Sequence, residues 1–273
     1  MTPLVPGSID TALGSIEVHR GGQSGPGGPA PLVYLHSAQG EGHALPMLEE
    51  LANTRPVVAP MFPGFGASEG LDHIDDIEDA SFHLLDVLDR LGFPTCDVMG
   101  LSLGGWMAAE LAVRWPERVR RMVLVNPVGL YVEGAPITEI FGRSPGELAD
   151  ELFADPEHPI AQLMHAMTAM EKDPSQIPFE LVRPILQAQA ATAKVGWNPY
   201  LHDPKLPNRL RRITAPTLII HARNDGIVAR AHAEAYASAI PDAKIIDLDG
   251  AAHLAVLERP DELATLVLEH LGD

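Results

Sequence analysis

Residues 96–105 read Cys96-Asp97-Val98-Met99-Gly100-Leu101-Ser102-Leu103-Gly104-Gly105, and this stretch decides the fold. A short apolar run ends at Met99, a glycine-flanked serine follows, and residues 103–115 read as a helix that stops at Pro116. Gly-x-Ser-x-Gly at a strand-to-helix junction spells a tight turn that holds the serine in a strained backbone conformation. Only small residues two positions either side avoid collision, and Gly100 and Gly104 supply them, with Gly105 adding room. Ser102 is therefore the candidate nucleophile. A serine capping the helix from Leu103 would sit in the same place, so the two readings are compatible.

Further short apolar runs flank this stretch: residues 31–35 (PLVYL), 56–59 (PVVA), 122–125 (MVLV), 217–220 (TLII) and 243–248 (AKIIDL), with 16–19 as a shorter strand. Continuous rather than alternating apolar runs are what a parallel sheet covered on both faces requires. Helical spacing lies between them, in Ile74, Ile77, Leu84, Leu85, Leu88 and Leu91, and again in residues 229–240 and 260–271. Strands alternating with helices predict an α/β fold with a doubly wound, mostly parallel sheet. Residues 128–212 break the alternation: strand runs vanish, and apolar residues at helical spacing are interrupted by Pro and Gly. The expected organisation is a core of residues 1–127 and 213–273 carrying a helical insertion of residues 128–212. The Gly/Pro stretch 21–31 resembles a phosphate loop only in glycine content, since no Gly-Lys-Ser/Thr closes it.

A serine hydroxyl is unreactive at neutral pH without a base to take its proton. Of the twelve histidines, His253 is best placed, in Gly250-Ala251-Ala252-His253-Leu254 after the run 243–248 and before the last helix. The base in turn needs a carboxylate to fix its tautomer. Asp225 follows the strand 217–220; it could instead cap the helix starting near Ala229, and Asp247 and Asp249 are rival acids at or within a strand. A developing oxyanion calls for two converging backbone N–H groups. Leu103 offers one, and the loop His36-Ser37-Ala38-Gln39-Gly40 offers the other, with Ala38 the expected donor unless that loop is a plain turn.

These residues make the chain resemble the α/β-hydrolase superfamily, in its capped branch of serine esterases and carbon-carbon bond hydrolases. The resemblance covers nearly the whole length. Residues 61–68 (MFPGFGAS) are similar to the family's loop after the fourth strand, and Asn126-Pro127 closes the strand before the cap. Two departures stand out: Ser37 where the family's oxyanion loop usually has Gly after His, and Met61 where an Asp usually precedes Phe-Pro-Gly. The resemblance implies that residues 128–212 roof the site. Met164, Met167 and Trp197 are then the candidate substrate contacts, although a Met164, Met167, Met170 stripe is more often the mark of a helix core. Phe141 and Tyr200 are further candidates, and Arg183 is the candidate partner for a substrate carboxylate.

The favoured expectation is cleavage of a carboxylic ester with a small to medium apolar substrate, through an acyl-enzyme. Carbon-carbon hydrolysis of vinylogous diketone acids, the meta-cleavage products, is the first alternative. Relatives with that activity usually carry Asn before the serine and Trp after the histidine, where this chain has Leu101 and Leu254. A non-catalytic ligand-binding protein on the same scaffold is the second alternative. Ser102 argues against the epoxide and haloalkane chemistries of this fold, which need Asp at the turn, whereas a perhydrolase side reaction would share the triad. No His-Glu-x-x-His or similar spacing suggests a metal, and no cofactor is expected. A net charge of −18 speaks against nucleic acid and anionic membrane partners. The expected partner is a small-molecule substrate, with a homodimer left open. One cysteine, no apolar run of membrane-spanning length and no secretory pattern in residues 1–10 suggest a cytoplasmic protein.

Overall fold

The computed structural model describes residues 2–23, 25, 27–42, 45–170 and 179–272. Eight strands form one sheet: β1 (Val5–Thr11), β2 (Gly14–Gly21), β3 (Leu32–Leu35), β4 (Val57–Pro60), β5 (Cys96–Leu101), β6 (Val119–Val125), β7 (Thr217–Ala222) and β8 (Ala243–Leu248). Their order is β1-β2-β4-β3-β5-β6-β7-β8, antiparallel from β1 to β4 and parallel thereafter. Every residue of β3, β4, β5 and β7 is buried, as continuous apolar runs demand.

The chain runs from β3 out to β4 and then returns to the other side of β3 as β5. The order therefore reverses between β3 and β5, and a crevice opens at their carboxyl ends. Leu35 pairs with Gly100 across that junction, so the loop after β3 meets the turn after β5. The mostly parallel doubly wound sheet is the fold expected from the apolar runs. The sequence reading missed β1 because its residues, with Pro6, Gly7 and Ser8 among them, are mostly exposed at the sheet edge and carry no apolar run.

Flanking helices are α1 (Pro46–Leu51), α2 (Ile77–Arg90), α3 (Leu103–Arg114), α8 (Arg230–Ala239), α9 (Ala255–Glu258) and α10 (Pro260–Leu271). Between β6 and β7 lie α4 (Pro145–Leu152), α5 (Pro159–Met170), α6 (Phe179–Gly196) and α7 (Leu206–Arg209), and the described residues of that stretch contain no strand. Ser144 caps α4 in a reciprocal box with Glu147, and Asp76 caps α2 through the amides of Glu78 and Asp79. Leu103 to Val113 are all buried, so α3 is covered on every side.

At the opposite end of β5, the buried Asp97 carboxylate accepts from Arg55 Nη1 at 2.9 Å and from Arg120 Nε and Nη2 at 2.8 and 2.5 Å. The same two arginines donate to the carbonyls of Gly272 and Leu271, fastening the end of α10 beneath the sheet. Cys96 lies beside this pair. Burial, reinforced by the Asp97 charge and opposed by Arg118, pushes its thiol up to about 12. At pH 8 only about 10⁻⁴ of it is thiolate, the reactive form. The folded protein should therefore resist a thiol reagent at pH 8, whereas the urea-unfolded chain should react once; rapid labelling without denaturant would contradict this packing.

Candidate active site

The turn after β5 is built as its glycines demand. Ser102 has φ 53° and ψ −110°, a conformation uncommon for a residue with a side chain. A Cβ on Gly104 would stand 2.0 Å from the Leu35 carbonyl oxygen, and one on Gly100 would stand 2.2 Å from the Gly104 oxygen. A Cβ on Gly105 would meet Pro127 at 2.9 Å. The serine amide donates to Val125 O at 2.9 Å, and its carbonyl accepts from Val128 N–H at 3.3 Å, so the end of β6 clasps the turn on both sides.

His253 and Asp225 meet across the carboxyl ends of β7 and β8. Nδ1 of His253 lies 3.0 and 2.9 Å from the two Asp225 carboxylate oxygens, and that carboxylate has no exposed side-chain surface. An ionised carboxylate only accepts, so Nδ1 carries the hydrogen and Nε2 is left as the basic nitrogen. Asp225 Oδ1 also accepts from the amides of Ile227 and Val228 at 2.8 and 2.9 Å, which aims the carboxylate. Ala229, not Asp225, caps α8. The rival acids are engaged elsewhere: Asp247 with Arg230 and Arg223, and Asp249 with Arg223.

Ser102, His253, Leu103 and Ala38 line one cavity with Ser37, Gln39, Val128, Ile140, Leu152, Leu201 and Ile227. Among the described residues, neither the Ala38 nor the Leu103 amide donates to a protein acceptor. The cavity holds about 10 Å³, room for roughly one water. Met164, Met167 and Trp197 do not line it. Met167 is buried and Met164 half-buried against the core, as the helix-core reading of the stripe allowed, while the side chain of Met170 lies outside the described residues. Trp197 is 64% exposed and stands against Phe141, which also meets Tyr200. Arg183 faces Glu180 and Gln187 on α6. The contacts from residues 128–212 are instead Val128, Ile140, Leu152 and Leu201, single apolar residues whose roles no periodicity marks.

The loop of residues 36–40 is held by a carboxylate that no sequence motif marks. Glu41 accepts from the Ser37 amide at 2.7 Å, from Ser37 Oγ at 2.5 Å and from the Tyr34 hydroxyl at 2.9 Å, while Gln39 N–H donates to Ser37 Oγ. Ser37, where the family usually has Gly, thus gives the loop an internal anchor. His36 Nε2 accepts from the Phe62 amide at 3.0 Å and Nδ1 donates to Ser37 O at 2.7 Å. Burial lowers the His36 pKa, which keeps the ring neutral as this pattern requires. Met61 is buried below, its sulfur where a Cβ on Gly42 would fall.

A second carboxylate joins the histidine loop to the helical stretch. Glu258 accepts from Ala252 N–H at 2.7 Å and from the amides of Ala154 and Asp155 at 2.8 and 3.0 Å. Leu254 N–H donates to Leu152 O at 3.0 Å, and Gly226 N–H to Glu151 O at 3.2 Å. Among the described residues no cluster of three or more His, Cys, Asp or Glu could hold a metal ion, and no helix is long and apolar enough to cross a membrane.

Glu41→Gln would replace one acceptor oxygen of this knot by an NH₂ group. We expect the variant to fold but to lose hydrolytic rate about tenfold or more, with little change in KM, because the Ala38 donor is no longer held in place. Unchanged kcat in steady-state kinetics would show that the loop keeps its position without Glu41.

The alpha/beta hydrolase family model matches residues 26–266. The chain is 28% identical over 261 residues to 2-hydroxymuconate semialdehyde hydrolase of Pseudomonas putida, covering 94% of this chain and 86% of that protein. It is 27% identical over 243 residues to the pimeloyl-[acyl-carrier protein] methyl ester esterase of Nitrosomonas europaea, covering 86% and 92%. Among solved structures, 2-hydroxy-6-oxo-6-phenylhexa-2,4-dienoate hydrolase from Rhodococcus sp. strain RHA1 superposes with a TM-score of 0.77 at 24% identity, over 99% of both chains. By its sequence, its sheet order and its serine turn, this chain belongs to the alpha/beta hydrolase family.

Proposed function

We propose that this hydrolase cleaves carboxylic esters of small to medium apolar substrates, with Ser102 as nucleophile, His253 as general base and Asp225 as the acid that orients it. The observation that carries the proposal is the convergence in one cavity of the strained Ser102, the carboxylate-bound His253 and the two unoccupied amides of Ala38 and Leu103. Ser102 Oγ adds to the ester carbonyl while His253 Nε2 takes its proton. Asp225 stabilises the imidazolium that forms, and the two amides receive the negative oxygen. Collapse expels the alcohol with the proton from His253 and leaves an acyl-serine. Water, deprotonated by the same nitrogen, then releases the acid and restores Ser102.

The roof supports an apolar substrate. Ile140, Leu152, Leu201, Val128 and Ile227 surround the serine, and no Lys or Arg is among the described residues lining the cavity. A diketone acid brings a carboxylate that such a lining leaves unpaired, at a cost of several kcal/mol if desolvated. The carbon-carbon reading keeps its support from the 28% identical P. putida hydrolase, and the same triad would serve it. We further propose that residues 128–212 act as the cap that sets acyl and alcohol size. A cavity this small requires Ile140, Leu152 or Leu201 to give way before substrate enters.

Ser102→Ala should abolish turnover of nitrophenyl esters and labelling by a fluorophosphonate. Asp225→Asn should lower kcat by about 10⁴, because the imidazole is then held in the wrong tautomer. Turnover of a meta-cleavage diketone acid with none of a nitrophenyl ester series would move the assignment to carbon-carbon hydrolysis, and Ser102-independent turnover would overturn both readings.

A further inference from the structure

Asn126 is the first residue beyond β6, fully buried, with φ 45°. It was legible in the sequence only as the residue that closes a strand. In the structure its side chain spends every hydrogen-bonding group on the backbone of two other segments. Nδ2 donates to His253 O at 3.0 Å and to Ala252 O at 3.3 Å, and Oδ1 accepts from Ala222 N–H at 2.8 Å. Its own amide donates to Ile220 O at 3.0 Å. The residues on either side reach the serine turn: Val125 O accepts from Ser102 N–H, and Val128 N–H donates to Ser102 O. One side chain therefore joins the strand that leads to Asp225 and the loop that carries His253 to the segment that clasps Ser102.

A plain turn does not call for this residue. Glycine adopts a positive φ at no steric cost, and a fully buried amide is expensive unless each of its polar atoms is paired. Asn tolerates the left-handed region better than other residues with a side chain, and it alone of those carries two donors and an acceptor on so short a stem. The two donors are aimed at the carbonyls of Ala252 and His253 themselves. On the other side of the same loop Glu258 takes the Ala252 amide, so the base is gripped from beneath by Asn126 and from the cap side by Glu258.

Resting on the triad reading above, we infer that Asn126 is a positioning residue for catalysis, which fixes the His253 backbone relative to Ser102 in the cavity that both residues line. It touches neither substrate nor reacting atoms. Its contribution is the alignment of nucleophile and base, where a displacement of about 1 Å costs about 100-fold in rate.

The test compares two variants by nitrophenyl ester kinetics, fluorophosphonate labelling and the downfield proton resonance of His253 Nδ1–H. Asn126→Gly keeps the positive φ and deletes the amide, so the turn is retained. Asn126→Asp keeps the Oδ1 acceptor for Ala222 and sets an oxygen against the two carbonyls, which covers the case in which the glycine variant does not fold. We expect folded protein with kcat and labelling rate lower by about 100-fold, KM within about twofold, and the Nδ1–H resonance shifted or broadened. A merely structural role would lower the melting temperature and leave the labelling rate and resonance of the folded protein unchanged, which would overturn the inference while leaving the triad intact. If the unaltered enzyme is not labelled at Ser102 and His253→Ala is without effect, the triad reading falls and the inference with it.

Discussion

The turn at Ser102 exists only because nothing larger than hydrogen stands on Gly100 and Gly104, and the rest of the site is arranged around that close approach. With the Gly104 Cα pressed against the Leu35 carbonyl, β3 and β5 are drawn together at their carboxyl ends, and the loop from His36 to Gly40 is brought over the start of α3. The same contact that strains the serine therefore brings Ala38, the donor expected for an oxyanion, into the cavity that Ser102 lines. Strain of this kind costs on the order of 1–3 kcal/mol and persists only where the surroundings over-determine it. Here they do: the Ser102 amide is held by the last residue of β6 and its carbonyl by Val128 just beyond, and α3 behind it is buried on all sides.

Much of the fold was legible because it is written in contiguous residues. The runs at 31–35, 122–125 and 217–220 have nowhere to go but a covered sheet, and the helices 103–115 and 260–271 end at Pro or at the chain's last turn. Ser102, Asp225 and His253 follow from position at strand ends, and the structure brings the last two into bonding distance. What escaped has a common physical character. β1 is an exposed edge strand whose pairing to β2 depends on backbone bonds rather than on an apolar pattern. The methionine stripe and the aromatic that pointed to a cavity lining do not supply it: Met167 is buried away from the cavity and Trp197 is exposed. The residues that do line it, Val128, Ile140, Leu152 and Leu201, come from two loops, the end of α4 and the segment before α7. Tertiary packing chooses such residues one at a time, and no local spacing announces them.

The departures from the family's usual loops are also explained by packing. Ser37 in place of Gly adds a side chain to the loop of residues 36–40, but its hydroxyl and amide both donate to Glu41, four residues on, and the loop closes upon that carboxylate. Tyr34, buried in β3, donates to the same carboxylate, and both burial and the Glu41 charge raise its pKa, which keeps it protonated and available as a donor. Met61 fills apolar space next to Gly42 where an Asp would need partners of its own. The loop thus exchanges a flexible glycine for a fixed hydrogen-bonded knot.

The histidine loop, the acid loop and the helical stretch are bonded into one unit, and this bears on how a closed cavity admits substrate. Gly226 donates to Glu151, Leu254 to Leu152, Thr138 Oγ1 to Gly226 O, and Glu258 bridges Ala252 to Ala154 and Asp155. Leu152, at the centre of these bonds, is also a lining residue, so a movement of α4 that enlarges the cavity pulls on the backbone beside His253 and Asp225. Ile140 and Leu201 carry no such tie to the His253 loop; Ile140 N–H donates to Tyr200 and Leu201 N–H to Gly196, both within the helical stretch. Both are nonetheless tied to the site through their neighbours: Thr138 N–H donates to the carbonyl of Ile227, whose own amide holds Asp225, and Gly129 N–H, next to Val128 that clasps Ser102, donates to Leu201 O at 2.8 Å, so no side of the lining moves its backbone without pulling on the residues around Ser102 or Asp225.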